Sequence, residues 1–370
     1  MKIIYIANAR IPTEKAHGIQ IMKMCEAFAN AENEVELVIP RRLNNIKQNP
    51  FEYYGTKENF KIKKLPTLDL IWFGKIGFWI QLLSFSKFAM FYTLFKKTDL
   101  IYSRDELPLW FLSFFRKNIV WEIHMPRDNF ISKTLVKKIK RVVTISQGLK
   151  DFYVKKRVRP EKIIVAHDGV DLEKFDVNVD KNKVRAKLGL TTEKSIIMYI
   201  GRIDSWKGVK TLLEASNRLK NAQVVIIGDG SELSRFRREY SNVIFKGFLP
   251  YRDLMYNQKG ADILVVPNSG KSKISSYYTS PLKVFAHMAS GIPIVVSDLP
   301  VLREILNQKN AILFKPDDSK DLAEGIQKVL QDPYLADKIS KQALNDVKKY
   351  SWKERSKNIL NFLKNDKKNH

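Results

Sequence analysis

The chain has 370 residues, of which 44% are hydrophobic and 28% charged, and its 65 basic and 39 acidic residues give a formal net charge of +26. This balance excludes a disordered chain, and the length favours two domains over one. The positive charge favours a polyanionic partner (a nucleic acid, an anionic membrane or a phosphorylated substrate), or else it reflects a lysine-rich composition alone.

The chain starts with a strand-like run rather than a signal peptide, and short β-branched runs then alternate with helical patterns. These runs are apolar without strict alternation, as expected for parallel strands covered on both faces. We therefore predict an α/β fold of two doubly wound, Rossmann-like domains facing across a cleft, where ligands of this architecture bind. The predicted strands are Lys2–Ala7, Val35–Pro40, Leu100–Ser103, Ile119–His124, Arg141–Ile145, Ile163–Ala166, Ile196–Gly201, Val224–Gly228, Val243–Gly247, Ile263–Pro267, Ile294–Ser297 and Ala311–Phe314.

A polar stretch at Asp176–Lys187 predicts a linker, which places the domains at residues 1–175 and 176–350. The C-terminal segment 351–370 contains an amphipathic helix, Ser351–Leu363, which we expect to pack back on the first domain. The single cysteine, Cys25, lies in an apolar helical pattern, so we expect a core residue and a reducing, cytoplasmic compartment. No run reaches the roughly 20 apolar residues of a membrane-spanning helix.

A candidate phosphate site follows the strand that ends at Gly201, where Arg202 and Lys207 precede the helical pattern that starts after Gly208. Amides at a helix N-terminus and two cations suit a diphosphate. By itself this octapeptide is more often a turn that carries two solvated cations.

A second candidate anion site precedes another helical pattern on the same predicted domain. Ser280 suits the N-cap and Pro281 the first helical position, so the amides of Leu282 and Lys283 would be exposed to a ligand. The alternative is simply a well-capped helix. Two such sites after strand ends of one domain would converge on a diphosphate.

Two further positions belong to the first predicted domain. Gly18 precedes a helical pattern and would permit close approach of a substrate, and His124 ends a strand at the edge where ligands bind. His124 is either a site residue or a hydrogen-bonded framework group. Motifs for zinc, for serine hydrolases and for a metal-binding Asp-x-Asp triplet are absent from the sequence, so we expect no metal.

The ordered motifs of the whole chain resemble glycosyltransferase family 4, the retaining enzymes of the GT-B fold. The resemblance is carried by Lys15–Gln20, Thr144–Leu149, His167–Asp171, Gly201–Gly208, Gly228–Gly230, Gly247–Pro250 and Ala289–Pro293, which occur in family order, with the Ser-Pro-Leu-Lys donor loop of one subgroup at Ser280–Lys283. It implies metal-independent transfer of a hexose-type sugar from a UDP- or GDP-linked donor to a cell-surface glycan or lipid-linked acceptor, with no further cofactor. Residues 1–175 would be the acceptor-side domain and residues 176–350 the nucleotide-sugar-binding domain.

The resemblance also implies roles for individual residues. Arg202 and Lys207 would hold the donor diphosphate, with His124 at the transferred sugar as the third catalytic residue. The donor would further be bound by Gly18 and Gly201 beside the phosphates, by the Leu249 backbone at the base, and by Ser280, Pro281, Leu282 and Lys283.

One departure bears on activity. The family carries two glutamates eight residues apart around the second loop, and this chain has Tyr278 and Ala286 there. The second glutamate normally accepts hydrogen bonds from the donor ribose. Ala286 is therefore either an engineered Glu→Ala change or a natural loss, and the chain is either an active enzyme or a weakened or inactive GT-B protein.

The segment Leu65–Lys97 is rich in aromatic residues and scattered lysines, a pattern typical of peripheral attachment to an anionic membrane. We expect a cytoplasmic protein at the inner face of the cell membrane; the alternative is that the aromatics pack the core of the first domain and the lysines are solvated. A nucleic-acid-binding protein would explain the charge but leaves the loop motifs unexplained, so we expect no nucleic-acid partner. A sugar-nucleotide epimerase of similar fold is a more distant alternative.

Overall fold

The computed structural model describes residues 1–175 and 179–364, which form two compact units. Unit 1 comprises residues 1–167 and the C-terminal helix that begins at Trp352; unit 2 comprises the described residues from 168 to 351. This boundary lies earlier than the predicted one, because Val170 and Phe175 are buried in a core cluster of unit 2. Of the predicted linker, residues 176–178 lie outside the described residues, and Lys181–Lys187 forms a helix whose Val184 is buried in unit 2.

Unit 1 contains a parallel seven-stranded sheet of order β3-β2-β1-β4-β5-β6-β7. All six strands predicted here are confirmed, whereas β3 was not predicted because its lysines break the apolar pattern at the sheet edge. The strands are β1 Lys2–Ile6, β2 Glu34–Pro40, β3 Lys61–Leu65, β4 Leu100–Ser103, β5 Ile119–Ile123, β6 Arg141–Thr144 and β7 Ile163–Val165. The helices are α1 Ala16–Asn30, α2 Pro50–Tyr54, α3 Gly74–Leu94, α4 Glu106–Leu112, α5 Phe130–Lys138 and α6 Gln147–Lys155.

Unit 2 contains a parallel six-stranded sheet of order β10-β9-β8-β11-β12-β13, and its six predicted strands are confirmed. The strands are β8 Ser195–Ile200, β9 Ala222–Ile227, β10 Ile244–Gly247, β11 Ile263–Val266, β12 Ile294–Ser297 and β13 Ile312–Phe314. The helices are α7 Lys181–Lys187, α8 Val209–Ser216, α9 Leu233–Glu239, α10 Leu254–Gln258, α11 Lys273–Tyr277, α12 Leu282–Ser290, α13 Pro300–Arg303, α14 Ser319–Gln331 and α15 Pro333–Asp346. The prediction of two doubly wound, Rossmann-like α/β domains is confirmed.

The C-terminal helix, α16 Trp352–Lys364, packs against α1 of unit 1. Cys25 of α1 is buried, as predicted. Short 3-10 helices lie at Ile71–Phe73, Pro160–Lys162, Leu172–Lys174, Ser205–Lys207, Tyr251–Asp253 and Val347–Tyr350. Among residues 1–175 and 179–364, no helix has the length and apolar content required to cross a bilayer.

Four helices of unit 1 form one layer. The connections from β3 to β4, β4 to β5, β5 to β6 and β6 to β7 all run in the same direction across the sheet. Right-handed crossovers therefore place α3, α4, α5 and α6 on one face. In agreement, α3 packs against α4, and α4 packs against α5.

Candidate active site

The loop after β8 has a backbone that requires glycine at both ends. Gly201 has φ +147° and Gly208 has φ +67°, conformations that side chains with a Cβ rarely adopt. A Cβ added to Gly208 would lie 1.8 Å from the Pro267 carbonyl oxygen. The loop, with its 3-10 helix Ser205–Lys207, is thereby held against the end of β11 and leads into α8.

The ends of β8, β9 and β10 pack backbone to backbone. The Gly228 amide donates to the Gly247 carbonyl oxygen at 2.7 Å, and a Cβ on Gly228 would lie 1.9 Å from the Gly201 carbonyl oxygen. Gly228 therefore permits a close approach of its backbone to the neighbouring loop at Gly201. These glycines thus fix the position of Gly201.

Arg202 and Lys207 both lie in this loop, in different environments. The Arg202 guanidinium pairs with Asp204 through contacts of 3.1 and 3.2 Å, and its side chain is largely exposed. The Lys207 ammonium lies 3.6 Å from the centroid of the Trp206 ring, and burial lowers its pKa to about 8 although Asp204 opposes this shift. Lys207 is therefore the more desolvated of the two cations, and its charge is poorly compensated.

Lys283 supplies a third cation at the same strand end. Its Nζ lies 3.9 Å from the centroid of the Tyr199 ring, and a Cβ on Gly201 would lie 2.8 Å from it. Nζ is buried, and no described residue accepts a hydrogen bond from it. Burial and the nearby charge of Lys207 hold the pKa of Lys283 well below its usual range. An unpartnered buried ammonium beside a strand-end glycine is a group that an anion would satisfy.

The helix that carries Lys283 starts one residue later than predicted. α12 begins at Leu282 with Pro281 as the N-cap, and it has no side-chain cap. The prediction that Ser280 caps this helix is therefore wrong: the Ser280 hydroxyl instead accepts a hydrogen bond from the Asp168 amide at 2.8 Å. The first amides of α12 belong to Leu282 and Lys283 and have no intrahelical acceptor.

Ala286 follows Lys283 by three residues on α12, at a spacing that places side chains on the same helix face. It is 1% exposed and belongs to an apolar core cluster of unit 2. Leu249, after β10, is half-buried and packs on another apolar cluster, which contains Val225 and Ile227. The site thus carries cations near Gly201, whereas position 286 offers no polar group.

Gly18 lies in the first turns of α1 in unit 1. A Cβ there would lie 2.2 Å from the Tyr54 hydroxyl. That hydroxyl accepts from the Thr13 amide at 2.6 Å and donates to the Thr13 carbonyl oxygen. The structure therefore gives Gly18 a packing requirement that the sequence did not reveal.

His124, directly after β5, is held by a buried carboxylate. Its Nε2 lies 2.5 Å from Oε1 of Glu122, and Glu122 is fully buried. Burial and the charge of Arg104 lower the pKa of His124 to about 4 against the opposing effect of Glu122, so the imidazole is neutral at pH 7. Nε2–H then donates to the carboxylate, and Nδ1 is the acceptor nitrogen.

Sequence reasoning missed the network behind His124. Glu122 also accepts from the Tyr102 hydroxyl, from Gln20 Nε2 at 2.6 Å and from the guanidinium of Arg355 in α16 at 3.2 Å. Burial opposes the charge of Glu122, but Arg355 and His124 outweigh it and hold the pKa of Glu122 below its usual range. The sequence could have indicated Glu122, because it is an acidic residue inside an apolar strand. It could not have indicated Arg355, because that partner is distant in the chain.

Asn268 is a second residue that sequence reasoning missed. It follows β11 and is fully buried, and neither polar atom of its amide has a partner among the described residues. The neighbouring Ser269 amide donates to the Trp206 carbonyl oxygen at 3.2 Å, so this segment adjoins the loop of Lys207. An asparagine directly after a buried strand could have been noticed in the sequence.

The structure therefore brings together Gly201, Lys207 and Lys283, with Arg202 in the same loop and Ser280 to Leu282 on the approach to α12. Gly18 and His124 belong to unit 1. Nowhere in the described parts of the chain do three histidine, cysteine or acidic side chains form a group that could hold a metal ion. Unit 2 offers cations and backbone amides that can bind an anion.

Two family models match the chain: the model of glycosyltransferases group 1 matches residues 180–346, and that of Glycosyltransferase Family 4 matches residues 18–174. An uncharacterized glycosyltransferase of Methanocaldococcus jannaschii is 30% identical over 244 residues, which is 60% of this chain and 60% of that protein. A sulfoquinovosyl transferase of Arabidopsis thaliana is 26% identical over 200 residues, or 52% of this chain and 38% of that protein. The chain thus spans less than two thirds of the length of these curated relatives.

Solved structures agree with the fold over the whole chain. Sucrose-phosphate synthase of Thermosynechococcus elongatus has a TM-score of 0.81 at 19% identity and covers 100% of both chains. Anabaena HepE in complex with UDP and glucose has a TM-score of 0.77 at 16% identity and covers 98% of this chain and 99% of its own. At these identities the likeness concerns the fold alone.

Proposed function

Because the chain belongs to the glycosyltransferases of group 1 and family 4, we propose that unit 2 binds a nucleoside-diphosphate sugar whose sugar is transferred to an acceptor hydroxyl. The observation that carries this proposal is the unpartnered ammonium of Lys283 beside Gly201, with the desolvated ammonium of Lys207 close enough to lower its pKa. Two poorly compensated cations at one strand end form a site for a diphosphate.

The proposed reaction retains the anomeric configuration. The bond between the anomeric carbon and the diphosphate oxygen breaks, and a bond from that carbon to the acceptor oxygen forms on the same face. The leaving diphosphate takes up the proton of the acceptor hydroxyl, so the step requires no protein nucleophile. Lys207, Lys283 and Arg202 would stabilise the negative charge that develops on the leaving group, which is the role a metal ion has in other transferases.

We propose that His124 of unit 1 binds the transferred sugar as a neutral imidazole. The contact to Glu122 supports this assignment, because it fixes one tautomer and leaves Nδ1 to accept a hydrogen bond from a sugar hydroxyl. The fixed ring would select a donor with a hydroxyl at that position, as expected for a hexose. In the same proposal Gly18 lies beside the phosphates and the Leu249 backbone meets the base.

UDP is the first nucleotide to test, because HepE, a fold neighbour, has been solved with UDP and with UDP-glucose; GDP is the second. The acceptor we propose is a cell-surface glycan or a lipid-linked saccharide. The chain would act as a cytoplasmic, peripheral protein at the inner face of the cell membrane. We propose that the chain has no nucleic-acid partner. A salt-sensitive mobility shift of RNA or DNA at submicromolar protein would contradict that proposal.

A weakened or inactive donor-binding protein is the second candidate function, and Ala286 favours it. The side chain at this position lies in an apolar cluster and offers no acceptor to a ribose. Hydrogen bonds to a charged group contribute about 1.5–3 kcal/mol each, so loss of two would weaken donor binding by one to several powers of ten.

Calorimetric titration with UDP-, GDP- and ADP-sugars, followed by assays of sugar transfer and donor hydrolysis, tests both candidates. An active enzyme binds one donor class and releases nucleotide in the presence of an acceptor extract, whereas an inactive scaffold binds without turnover. Lys207→Ala is expected to lower turnover by about 10²–10³, as does the loss of other charge-stabilising donors. The control is Lys210→Ala, an exposed lysine of α8. Equal turnover in both variants would contradict the proposed site.

A further inference from the structure

The helix α3 presents an unusual number of aromatic residues to solvent. Trp72 and Phe73 in the preceding 3-10 helix are each 66% exposed, and Trp79 within α3 is 54% exposed. Phe78, Phe88 and Phe91 of the same helix are also exposed. The opposite face of α3 is buried, with Phe85 and Ala89 at 0%. Some aromatic residues of this segment therefore pack in the core and others are exposed to solvent, on opposite faces of one helix.

The aromatic surface continues across the helix layer. α3 packs against α4, and the exposed Phe114 and Phe115 follow directly after α4. Trp110 of α4 contacts the ring of Phe130, which begins α5 and is 71% exposed. Lys138 of α5 lies over the ring of Phe114 at 3.2 Å. Exposed aromatic rings therefore extend over three neighbouring helices, and α5 joins them to a basic region.

The other side of α5 borders a basic groove of about 390 Å³ shared with the C-terminal end of α6. Seven of its twelve lining residues are basic and one, Asp128, is acidic. Asp128 pairs with Lys133 at 3.1 Å and with Lys156 at 2.6 Å, and Arg159 pairs with Glu161 at 3.3 Å, so the seven basic residues still carry an excess of positive charge. Lys137, Arg157 and Arg159 also line this groove.

We propose that the outer face of the α3–α6 layer docks on an anionic phospholipid bilayer, with the aromatic rings at the interface and lipid phosphates in the basic groove. Tryptophan and phenylalanine side chains partition into the headgroup boundary, and each lysine or arginine near an anionic surface adds attraction.

Charge decides between this occupant and a second copy of the chain. Two such faces packed together would bring the excess cations of both grooves close to each other, which is unfavourable for association. An anionic bilayer supplies the complementary charge over the whole face. The inference deepens the membrane association of the proposed function, but it does not depend on donor binding, because the groove belongs to unit 1 and Lys283 to unit 2.

Co-sedimentation of the full chain with vesicles tests the inference. One set of vesicles contains phosphatidylcholine alone, and in the other set about one third of the lipid is phosphatidylglycerol, which is anionic. We expect binding to the anionic vesicles only, and its loss at high salt. The double variant Lys133→Gln, Lys137→Gln should bind about 20–30-fold more weakly, at about fivefold for each cation removed. The double variant Trp72→Ser, Trp79→Ser should bind the vesicles more weakly by a factor of about ten or more, because two inserted rings are lost.

Matched controls lie in unit 2. The pair Lys328→Gln, Lys338→Gln removes two exposed lysines, and Tyr334→Ser removes a ring that is 75% exposed. Both controls should bind vesicles like the parent chain. Equal losses in control and test variants, or no binding to anionic vesicles at low salt, would overturn the inference. The inference would also be overturned if the parent chain were a dimer in solution and the double tryptophan variant a monomer. Titration of each variant with UDP measures donor binding separately, so that a failure of membrane binding is distinguished from a failure of the proposed donor site.

Discussion

Replacement of Lys283 by methionine should stabilise the protein and weaken donor binding at the same time. The lysine ammonium is buried beside Gly201 without a hydrogen-bond acceptor among the described residues, and burial lowers its pKa from 10.5. The cost to the folded state at pH 7 is bounded at about 5 kcal/mol, the free energy needed to remove a proton from an ordinary lysine at that pH. Methionine has a similar shape and carries no charge, so it removes this cost.

The loss of the cation–π contact with Tyr199, at 3.9 Å, offsets part of the gain by about 2 kcal/mol. A net stabilisation of about 1–3 kcal/mol remains, and each kcal/mol raises Tm by about 2–4 °C in domains of 150–250 residues. UDP should bind about 10–150-fold more weakly, because a hydrogen bond to a charged group contributes about 1.5–3 kcal/mol.

Calorimetric unfolding without ligand and isothermal titration with UDP measure the two effects. Because the folded pKa of Lys283 lies below the unfolded value, the wild-type chain gains stability as pH rises toward 10.5, and the advantage of methionine should shrink over that range. Lys328→Met, an exposed lysine of the same unit, is the control and should change neither quantity. A Lys283→Met variant that is less stable at pH 7, or that binds UDP like the parent, would refute the reasoning.

Three further predictions concern single positions. Ala286→Glu should raise the affinity for the sugar donor by a factor of ten or more in titration calorimetry, because a carboxylate one turn from Lys283 would accept hydrogen bonds from the ribose, each of about 1.5–3 kcal/mol. Ala286→Gln should raise the affinity less, and unchanged affinity and turnover in Ala286→Glu would contradict this prediction. UDP affinity should fall as pH rises through about 8, where Lys207 loses its proton, and a Lys207→Arg variant that keeps the same pH profile would contradict this assignment. Arg355→Met should lower the free energy of unfolding in urea by about 3–5 kcal/mol, because it leaves Glu122 buried without its cationic partner, while UDP binding in unit 2 stays unchanged.

Local sequence patterns identified the strands because buried parallel strands are continuous apolar runs. All twelve predicted strands are present, and the missed strand, β3, is an edge strand whose lysines face solvent. The loop Gly201–Gly208 was equally readable, since its two glycines and two cations are close in the chain. The cap of α12 was misassigned because the Ser280 hydroxyl bonds to Asp168, which is far away in sequence.

The sequence by itself determined the α/β fold, the loop that carries Arg202 and Lys207, and the departure at Ala286, because each depends on neighbouring residues or on the identity of one. Only the tertiary structure decided that Lys283 is an unpartnered cation beside Gly201, and that Arg355 compensates the carboxylate which holds His124. The charge state and hydrogen bonding of a buried group depend on which distant side chains surround it, and a linear sequence does not record those neighbours.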